Sequence, residues 1–125
     1  MSDLKDLFGK FPLTVEAYWA LRGRNKKWSA HFELEDLNGV LQQAVRDVLK
    51  FQRKTENPRK ICVFSTLHYW IEQSMLVALG LAGQGHQVNF AWLPYADWDK
   101  EISLFDLRRQ DLYTQDVLKP AAQVM

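Results

Sequence analysis

The stretch that decides the fold is residues 60–93, KICVFSTLHYWIEQSMLVALGLAGQGHQVNFAWL. It opens at residues 60–65 with a short, β-rich apolar run, which is typical of a strand covered on both faces in a parallel sheet. A helix is expected over residues 70–82, where apolar side chains dominate and two glycines follow as a stop. A second strand is predicted at residues 87–93. A crossover of this length predicts that the two strands lie side by side and parallel.

The pattern continues as β-α-β-α, because a further helical stretch is expected at residues 102–117 after Pro94 closes the second strand. Cys62, inside the first strand, is expected to be a buried and inert thiol. Two strands make a poor sheet, since a parallel pair needs neighbours at its edges. We therefore hypothesise that the chain is part of a longer protein, or one subunit whose sheet is completed by a second domain or a partner chain.

The preceding part of the chain, residues 1–59, is predicted to be an α-helical extension of a Rossmann-like α/β unit at residues 60–125; the two could form one combined domain. Thr14 is a candidate N-cap of a short helix that ends at Gly23. The clearest helix pattern is an apolar stripe at steps of three and four residues. Its members are Leu34, Leu37, Leu41, Ala44, Val45, Val48 and Phe51.

Composition bounds the class of protein. The 125 residues are 47% hydrophobic and 25% charged, which excludes a wholly disordered chain, a collagen-like chain and a disulfide scaffold. A net charge of +1 gives no general reason to expect a nucleic acid or an anionic membrane as a partner. The N-terminus lacks the apolar stretch of a signal peptide, and no apolar run reaches the roughly 18 residues of a membrane span. A cytoplasmic location is the resulting prediction.

The net charge conceals an asymmetry between the two parts of the chain. Residues 1–60 carry 12 Lys and Arg against 8 Asp and Glu, which gives +4, whereas residues 61–125 carry 4 against 7, which gives −3. Part of the excess lies in a basic loop formed by Arg22, Arg24, Lys26 and Lys27, followed by Trp28. Such a loop could bind nucleic acid or phosphate, but we interpret it as a solvated connection.

Ligands of open α/β sheets bind beyond the carboxyl ends of the strands. After the first strand, Ser65 and Thr66 are candidate ligand-binding hydroxyls at a helix N-terminus that favours an anion such as phosphate; alternatively they cap the helix. After the second strand, Tyr95 and Asp97 are the candidate ligand-binding residues. Several aromatic side chains flank these positions and could stack on a sugar or a base, or belong to the core or an interface. They are Tyr69, Trp70, Trp92, Tyr95 and Trp98.

Two residues are candidates for catalysis. His68 has an unperturbed pKa suited to general acid–base chemistry near neutral pH, and Glu72, one helical turn on, could orient or charge it. The alternatives are a structural or surface histidine and an exposed first-turn acid that favours the helix dipole. No Cys/His spacing indicates zinc, and no glycine-rich phosphate-binding motif is present. No cofactor is therefore predicted.

The segment LAGQGHQV at residues 81–88 resembles the LAxxGHxV junction between the first helix and second strand in N-terminal domains of GT-B-type glycosyltransferases. The strand, the loop with His68 and the following helix match those domains in order, over little more than a quarter of the chain. The resemblance implies that His68 falls where a catalytic base could sit, and Ser65 and Thr66 where a substrate loop lies. The usual glycine-rich first loop is replaced by Ser65-Thr66-Leu67.

The resemblance implies transfer of a sugar from a nucleotide-sugar, which is a substrate and not a resident cofactor, with this chain as the acceptor-side part of the enzyme. Two alternatives stay open. The chain could be a non-catalytic interaction module or subunit, in keeping with its unfinished sheet. It could also be a nucleotide- or phosphate-binding Rossmann-like domain without a transferase role.

Overall fold

The computed structural model describes residues 2–22 and 32–125 and shows a mixed α/β protein. Its elements, in chain order, are α1 (Ser2–Lys10), α2 (Thr14–Arg22), α3 (Glu35–Asn38), α4 (Leu41–Phe51), β1 (Lys60–Thr66), α5 (His68–Gly83), β2 (Gln87–Leu93), α6 (Leu104–Leu118) and a C-terminal 3₁₀ helix (Lys119–Gln123). The predicted basic loop, from Arg24 to Trp28, and the predicted helix stop at Gly23 lie outside the described residues.

The sheet consists of two parallel strands joined by the crossover helix α5. β1 pairs with β2 from Lys60 opposite Gln87 to Thr66 opposite Leu93. The predicted β-α-β-α order with parallel strands is thereby confirmed, and β2 has the predicted bounds. The finer Rossmann-like assignment stays a prediction.

Only one face of this sheet is covered by the described part of the chain. α5 packs on the face that carries Val63 and Val88. The opposite face, which we call the open sheet face, carries Cys62, Phe64, Ala91 and Leu93 together with the polar residues Lys60, Thr66, Gln87 and Asn89. Its large side chains are solvent-exposed, Phe64 by 59% and Leu93 by 41%. The expectation of a strand covered on both faces is therefore wrong for the described residues, and so is that of a buried thiol at Cys62, which is exposed.

The predicted helix over residues 34–51 is two helices. α3 ends at Asn38, a turn follows at Gly39 and Val40, and α4 begins at Leu41. Glycine costs about 1 kcal/mol in a helix interior relative to alanine, which favours a break at this position. The apolar stripe nevertheless forms the main core, in which Leu34, Leu37, Leu41 and Val45 pack with Ile71, Met75 and Leu79 of α5. Phe51, the last member of the stripe, is exposed.

The N-terminal helices pack against α6, so elements from both predicted parts of the chain contact each other. α1 lies within the predicted helical extension, although no individual helix is assigned to residues 2–10 from the sequence. The guanidinium of Arg108 on α6 donates to the carbonyl oxygens of Gly9 (2.9 Å) and Phe11 (2.8 Å), and to both carboxylate oxygens of Glu16 (2.7 and 2.6 Å). Thr14 does not cap α2, because its hydroxyl donates to the Phe11 carbonyl at 2.9 Å.

Candidate functional site

A sharp turn delivers His68 to the carboxyl end of β1. Thr66 ends the strand and His68 begins α5, so Leu67 alone makes the turn, with φ at 64° and ψ at 140°. A non-glycine residue in such a conformation costs on the order of 1–3 kcal/mol. Burial of the Leu67 side chain, worth about 1.5–3 kcal/mol, offsets this cost. The packed core thus holds His68 at the edge of the sheet where ligands of α/β proteins bind.

A cavity of about 460 Å³ opens at this edge, and we call it the acidic cavity. Its lining comes from the start of α3, from the first turns of α5 and from the loop after β2. The lining residues are Glu33, Glu35, Asp36, His68, Tyr69, Glu72 and Asp97. Among residues 2–22 and 32–125, five carboxyl groups and one imidazole face this space, and no Lys or Arg lines it. Such a surface attracts cations and hydrogen-bond donors and repels anions.

Glu72 serves the fold as well as the cavity. Its side chain is only 9% exposed, and its Oε1 accepts a hydrogen bond from the backbone N–H of Asp36 at 3.0 Å, in the first turn of α3. Burial raises the pKa of the Glu72 carboxyl, and the neighbouring Asp36 and Glu35 carboxylates add to that rise against the opposing backbone N–H groups. The sequence predicts that Glu72 orients His68, but no hydrogen bond joins these two described side chains.

His68 itself has an unused hydrogen-bonding group. Its Nδ1 atom is buried and has no hydrogen-bond partner in the part of the chain that the structure describes. The ring packs edge-on against Phe32, with ring centroids 5.9 Å apart, and against Tyr69, with centroids 5.1 Å apart. A buried polar atom without a partner costs about 1–3 kcal/mol. A ligand group that reaches this nitrogen would recover that energy.

The remaining predicted site residues are distributed differently. Ser65 is buried beneath α5, where its Oγ accepts a hydrogen bond from the Ser74 hydroxyl at 3.2 Å. Thr66 lies at the end of β1 and is half-buried, but neither Thr66 nor Ser65 lines the acidic cavity. The structure therefore brings together His68, Glu72 and Asp97, and it leaves the two hydroxyls outside that group.

Tyr95 and Asp97 line a second cavity of about 340 Å³. We call it the charge-balanced cavity, because three cations and three carboxylates line it. They are Lys5, Lys100 and Arg109, with Asp97, Glu101 and Asp106. Lys100 Nζ lies 2.8 Å from Asp97, and the cations of Lys5 and Arg109 each lie 3.6 Å from Asp106. The two cavities are neighbours, since Asp97 lines both.

Sequence reasoning did not propose Glu33, Glu35, Asp36 or Gln110 as site residues. The available signal is the acidic run ELED at residues 33–36. Only the packing of α3 against α5 shows that these carboxylates face Glu72 and His68. Nothing local in the sequence distinguishes Gln110 from the other polar residues of α6.

Within residues 2–22 and 32–125, no helix is both long and apolar enough to cross a membrane. In the same ranges, no three His, Cys, Asp or Glu side chains are grouped closely enough to hold a metal ion. Comparisons with models of protein families, with curated proteins and with solved structures find no match to this chain.

Proposed function

We propose that this chain is the acceptor-side part of a glycosyltransferase, and that the acidic cavity holds a hydroxyl-bearing acceptor. The observation that carries the proposal is the position of His68 on the cavity wall, directly beyond the carboxyl end of β1, with an Nδ1 that no described residue bonds. In the reaction, the imidazole takes the proton of the acceptor hydroxyl. The acceptor oxygen then bonds to the anomeric carbon of the donor sugar, and the bond from that carbon to the nucleoside diphosphate breaks.

The charge of the cavity supports an acceptor in preference to a nucleotide. Carboxylates accept hydrogen bonds from sugar hydroxyls, whereas they repel a diphosphate. The alternative of a phosphate-binding domain has less support, because Ser65 is engaged by Ser74 and the buried Glu72 lies in the first turns of α5. We therefore expect the nucleotide-sugar to be held by a second domain or a partner chain, facing the acidic cavity.

The test compares His68→Ala with His86→Ala. His86 lies at the α5–β2 junction, where its Nδ1 accepts a hydrogen bond from the Arg59 backbone N–H at 3.3 Å. Transfer from radiolabelled UDP-hexoses to a panel of sugar acceptors is measured, with any partner that co-purifies with the chain retained. We expect His68→Ala to lower turnover by roughly 10²-fold or more, the usual worth of a general base, and His86→Ala to leave it unchanged.

Two results would overturn the proposal. Equal turnover in the wild type and His68→Ala would remove the imidazole from the mechanism. An absence of transfer from every UDP-hexose, in preparations where the protein is folded by circular dichroism, would remove the transferase activity.

A non-catalytic interaction module is the second candidate, and the open sheet face favours it. Phe64 and Leu93 are both exposed on that face. Contiguous exposed apolar surface marks protein–protein contacts. In this case a partner chain covers the open sheet face and adds strands at its edges. Sedimentation of Phe64→Glu against the wild type tests it: an unchanged molecular mass and an unchanged set of co-purifying proteins would contradict the module.

A further inference from the structure

The strongest unused feature of the molecule is Gln110, on α6. The residue is 94% buried, as its exposed fraction of 6% shows, and its side-chain Oε1 is buried with no hydrogen-bond partner among the described residues. Its backbone carbonyl, by contrast, accepts a hydrogen bond from the Thr114 hydroxyl at 2.8 Å. Buried polar groups in folded proteins are nearly always paired, with protein groups, ordered water or a bound molecule, so the Gln110 amide is a candidate contact for a ligand.

Gln110 is one of the residues that line the charge-balanced cavity. Five of the six charged side chains of that wall form ion pairs, since Lys100 contacts Asp97 and Asp106 contacts both Lys5 and Arg109, and the Glu101 carboxylate completes the charge balance. A bound anion would compete with Asp106 for Lys5 and Arg109. A bound cation would compete with Lys5 and Arg109 for the Asp106 carboxylate. A neutral ligand with several donors and acceptors would meet neither obstacle.

The chemistry of the amide narrows the ligand further. An amide oxygen requires a donor and an amide nitrogen requires an acceptor, and a hydroxyl group can supply either. Tyr95, on the same wall, offers an aromatic side chain with an apolar body and a polar tip. The volume of about 340 Å³ lies within the roughly 300–1,000 Å³ of small-molecule sites.

We propose that the charge-balanced cavity binds an uncharged sugar ring, one of whose hydroxyl groups bonds to the amide of Gln110. The inference rests on the proposed function in one respect: this ring is the part of the acceptor that lies beyond the hydroxyl activated at His68. Asp97 stands between the two cavities, so an acceptor of at least two rings extends across it. The acceptor class is therefore a neutral oligosaccharide or a glycoside.

The experiment titrates the intact chain with cellobiose and maltotriose, and with glucosamine and glucose 6-phosphate as charged counterparts. Binding is followed by the side-chain amide signals of Gln110 in ¹H–¹⁵N NMR spectra. We expect the neutral saccharides to shift these signals at millimolar concentration, and the charged monosaccharides to do so less. The wild-type protein alone thus tests the contact, whatever the folding of any variant.

Gln110→Met removes the amide and keeps the length of the side chain. We expect saccharide affinity to fall by about tenfold, which corresponds to one hydrogen bond, and the melting temperature of the ligand-free protein to stay equal or rise. The matched control is Gln115→Met on the same helix, where the exposed amide of Gln115 donates to Asp111 at 2.7 Å. This control should leave affinity unchanged.

Either of two results would overturn the sugar site. The first is that neutral saccharides leave the Gln110 signals unshifted. The second is that Gln110→Met binds saccharides with the affinity of the wild type. If that unchanged affinity comes with a lowered melting temperature, the amide is purely structural. His68→Ala separates the two proposals. If Gln110→Met weakens binding but His68→Ala keeps full turnover, the base role fails and the sugar site stands. If Gln110→Met binds saccharides as tightly as the wild type but His68→Ala lowers turnover, the sugar site fails and the base role stands.

Discussion

Replacement of Gly85 by alanine should be among the most damaging single changes in this chain. Gly85 turns the chain from α5 into β2 with φ at +90°, a conformation that side chains disfavour. An added Cβ would collide with the carbonyl oxygen of Arg53 and lie 3.1 Å from the backbone nitrogen of Thr55. The Arg53 segment cannot retreat freely, because its N–H donates to the Gly83 carbonyl at 2.8 Å.

The magnitude follows from these two penalties. The backbone conformation costs about 1–2 kcal/mol for a residue with a Cβ, and the steric overlap costs about 1–3 kcal/mol. Together they lower the free energy of unfolding by about 2–5 kcal/mol, out of the roughly 6–19 kcal/mol expected at 0.05–0.15 kcal/mol per residue. Gly80→Ala is the matched control. It lies inside α5 with open space around the added Cβ, so it should stabilise by about 0.5–1 kcal/mol.

Urea denaturation followed by tryptophan fluorescence measures both variants against the wild type, with the slopes compared to verify that the unfolding transition is the same. The critical result is that Gly85→Ala lowers the free energy of unfolding whereas Gly80→Ala raises it. A loss below about 1 kcal/mol in Gly85→Ala, or an equal loss in the two variants, would refute the close approach of the junction to the segment that leads into β1.

Three further predictions concern charge and exposure. The hydrogen bond from Arg108 lowers the pKa of the Glu16 carboxyl below its usual 4.5, so the stability that this carboxylate contributes is lost as the pH falls through the lowered pKa. Glu16→Gln should therefore make the free energy of unfolding fall less steeply with decreasing pH in this acid range. An equally steep fall in the variant and the wild type would contradict this. Burial raises the pKa of the Glu72 carboxyl, so the stability contributed by its protonated form is complete below pH 4.5 and is lost as the pH rises through the raised pKa. The melting temperature of Glu72→Gln should therefore rise relative to that of the wild type between pH 4 and pH 7. A relative fall over that range would oppose this prediction. Cys62 should react with a thiol reagent such as Ellman's in the native protein nearly as fast as in urea, and strong native protection would disprove an open sheet face.

The central β-α-β unit could be predicted because its signals are local. An uninterrupted apolar run, a helix of crossover length and a glycine stop define β1, α5 and β2 without knowledge of distant contacts. The covered face of the sheet could not be predicted in the same way. Both faces of β1 carry apolar side chains, Val63 on one and Phe64 on the other, so the pattern has no preference between them. Only the positions of the helices decide it.

The residues of the candidate site likewise fall into those that local sequence predicts and those that depend on tertiary packing. His68 and Asp97 follow from the rule that ligands bind beyond the carboxyl ends of parallel strands. The carboxylates of Glu35 and Asp36 come from an element far away in the sequence, so their approach to Glu72 depends on tertiary packing. Glu72 could be read locally as an exposed first-turn acid, but α3 covers it and uses its carboxylate to cap a helix end.

The junction that carries the resemblance has a structural explanation of its own. Gly85 is required by its positive φ and by the close approach of Arg53, while His86 accepts a hydrogen bond from the Arg59 backbone next to β1. A tight connection from a helix to a parallel strand would demand such residues whatever the protein does. The proposed transferase activity therefore rests on His68 and its cavity and draws little from the junction.

The clamp of Arg108 on the N-terminal helices has a consequence for synthesis. Arg108 and Glu16 are separated by 92 residues in the sequence. At about 5–20 residues per second, Glu16 is made roughly 5–20 seconds before the guanidinium that binds it. During that interval the Glu16 carboxylate and the Gly9 and Phe11 carbonyls have only water in place of Arg108. The two N-terminal helices are each only nine residues long, too short for a stable isolated helix, so their lasting helical structure is expected only after α6 has been made.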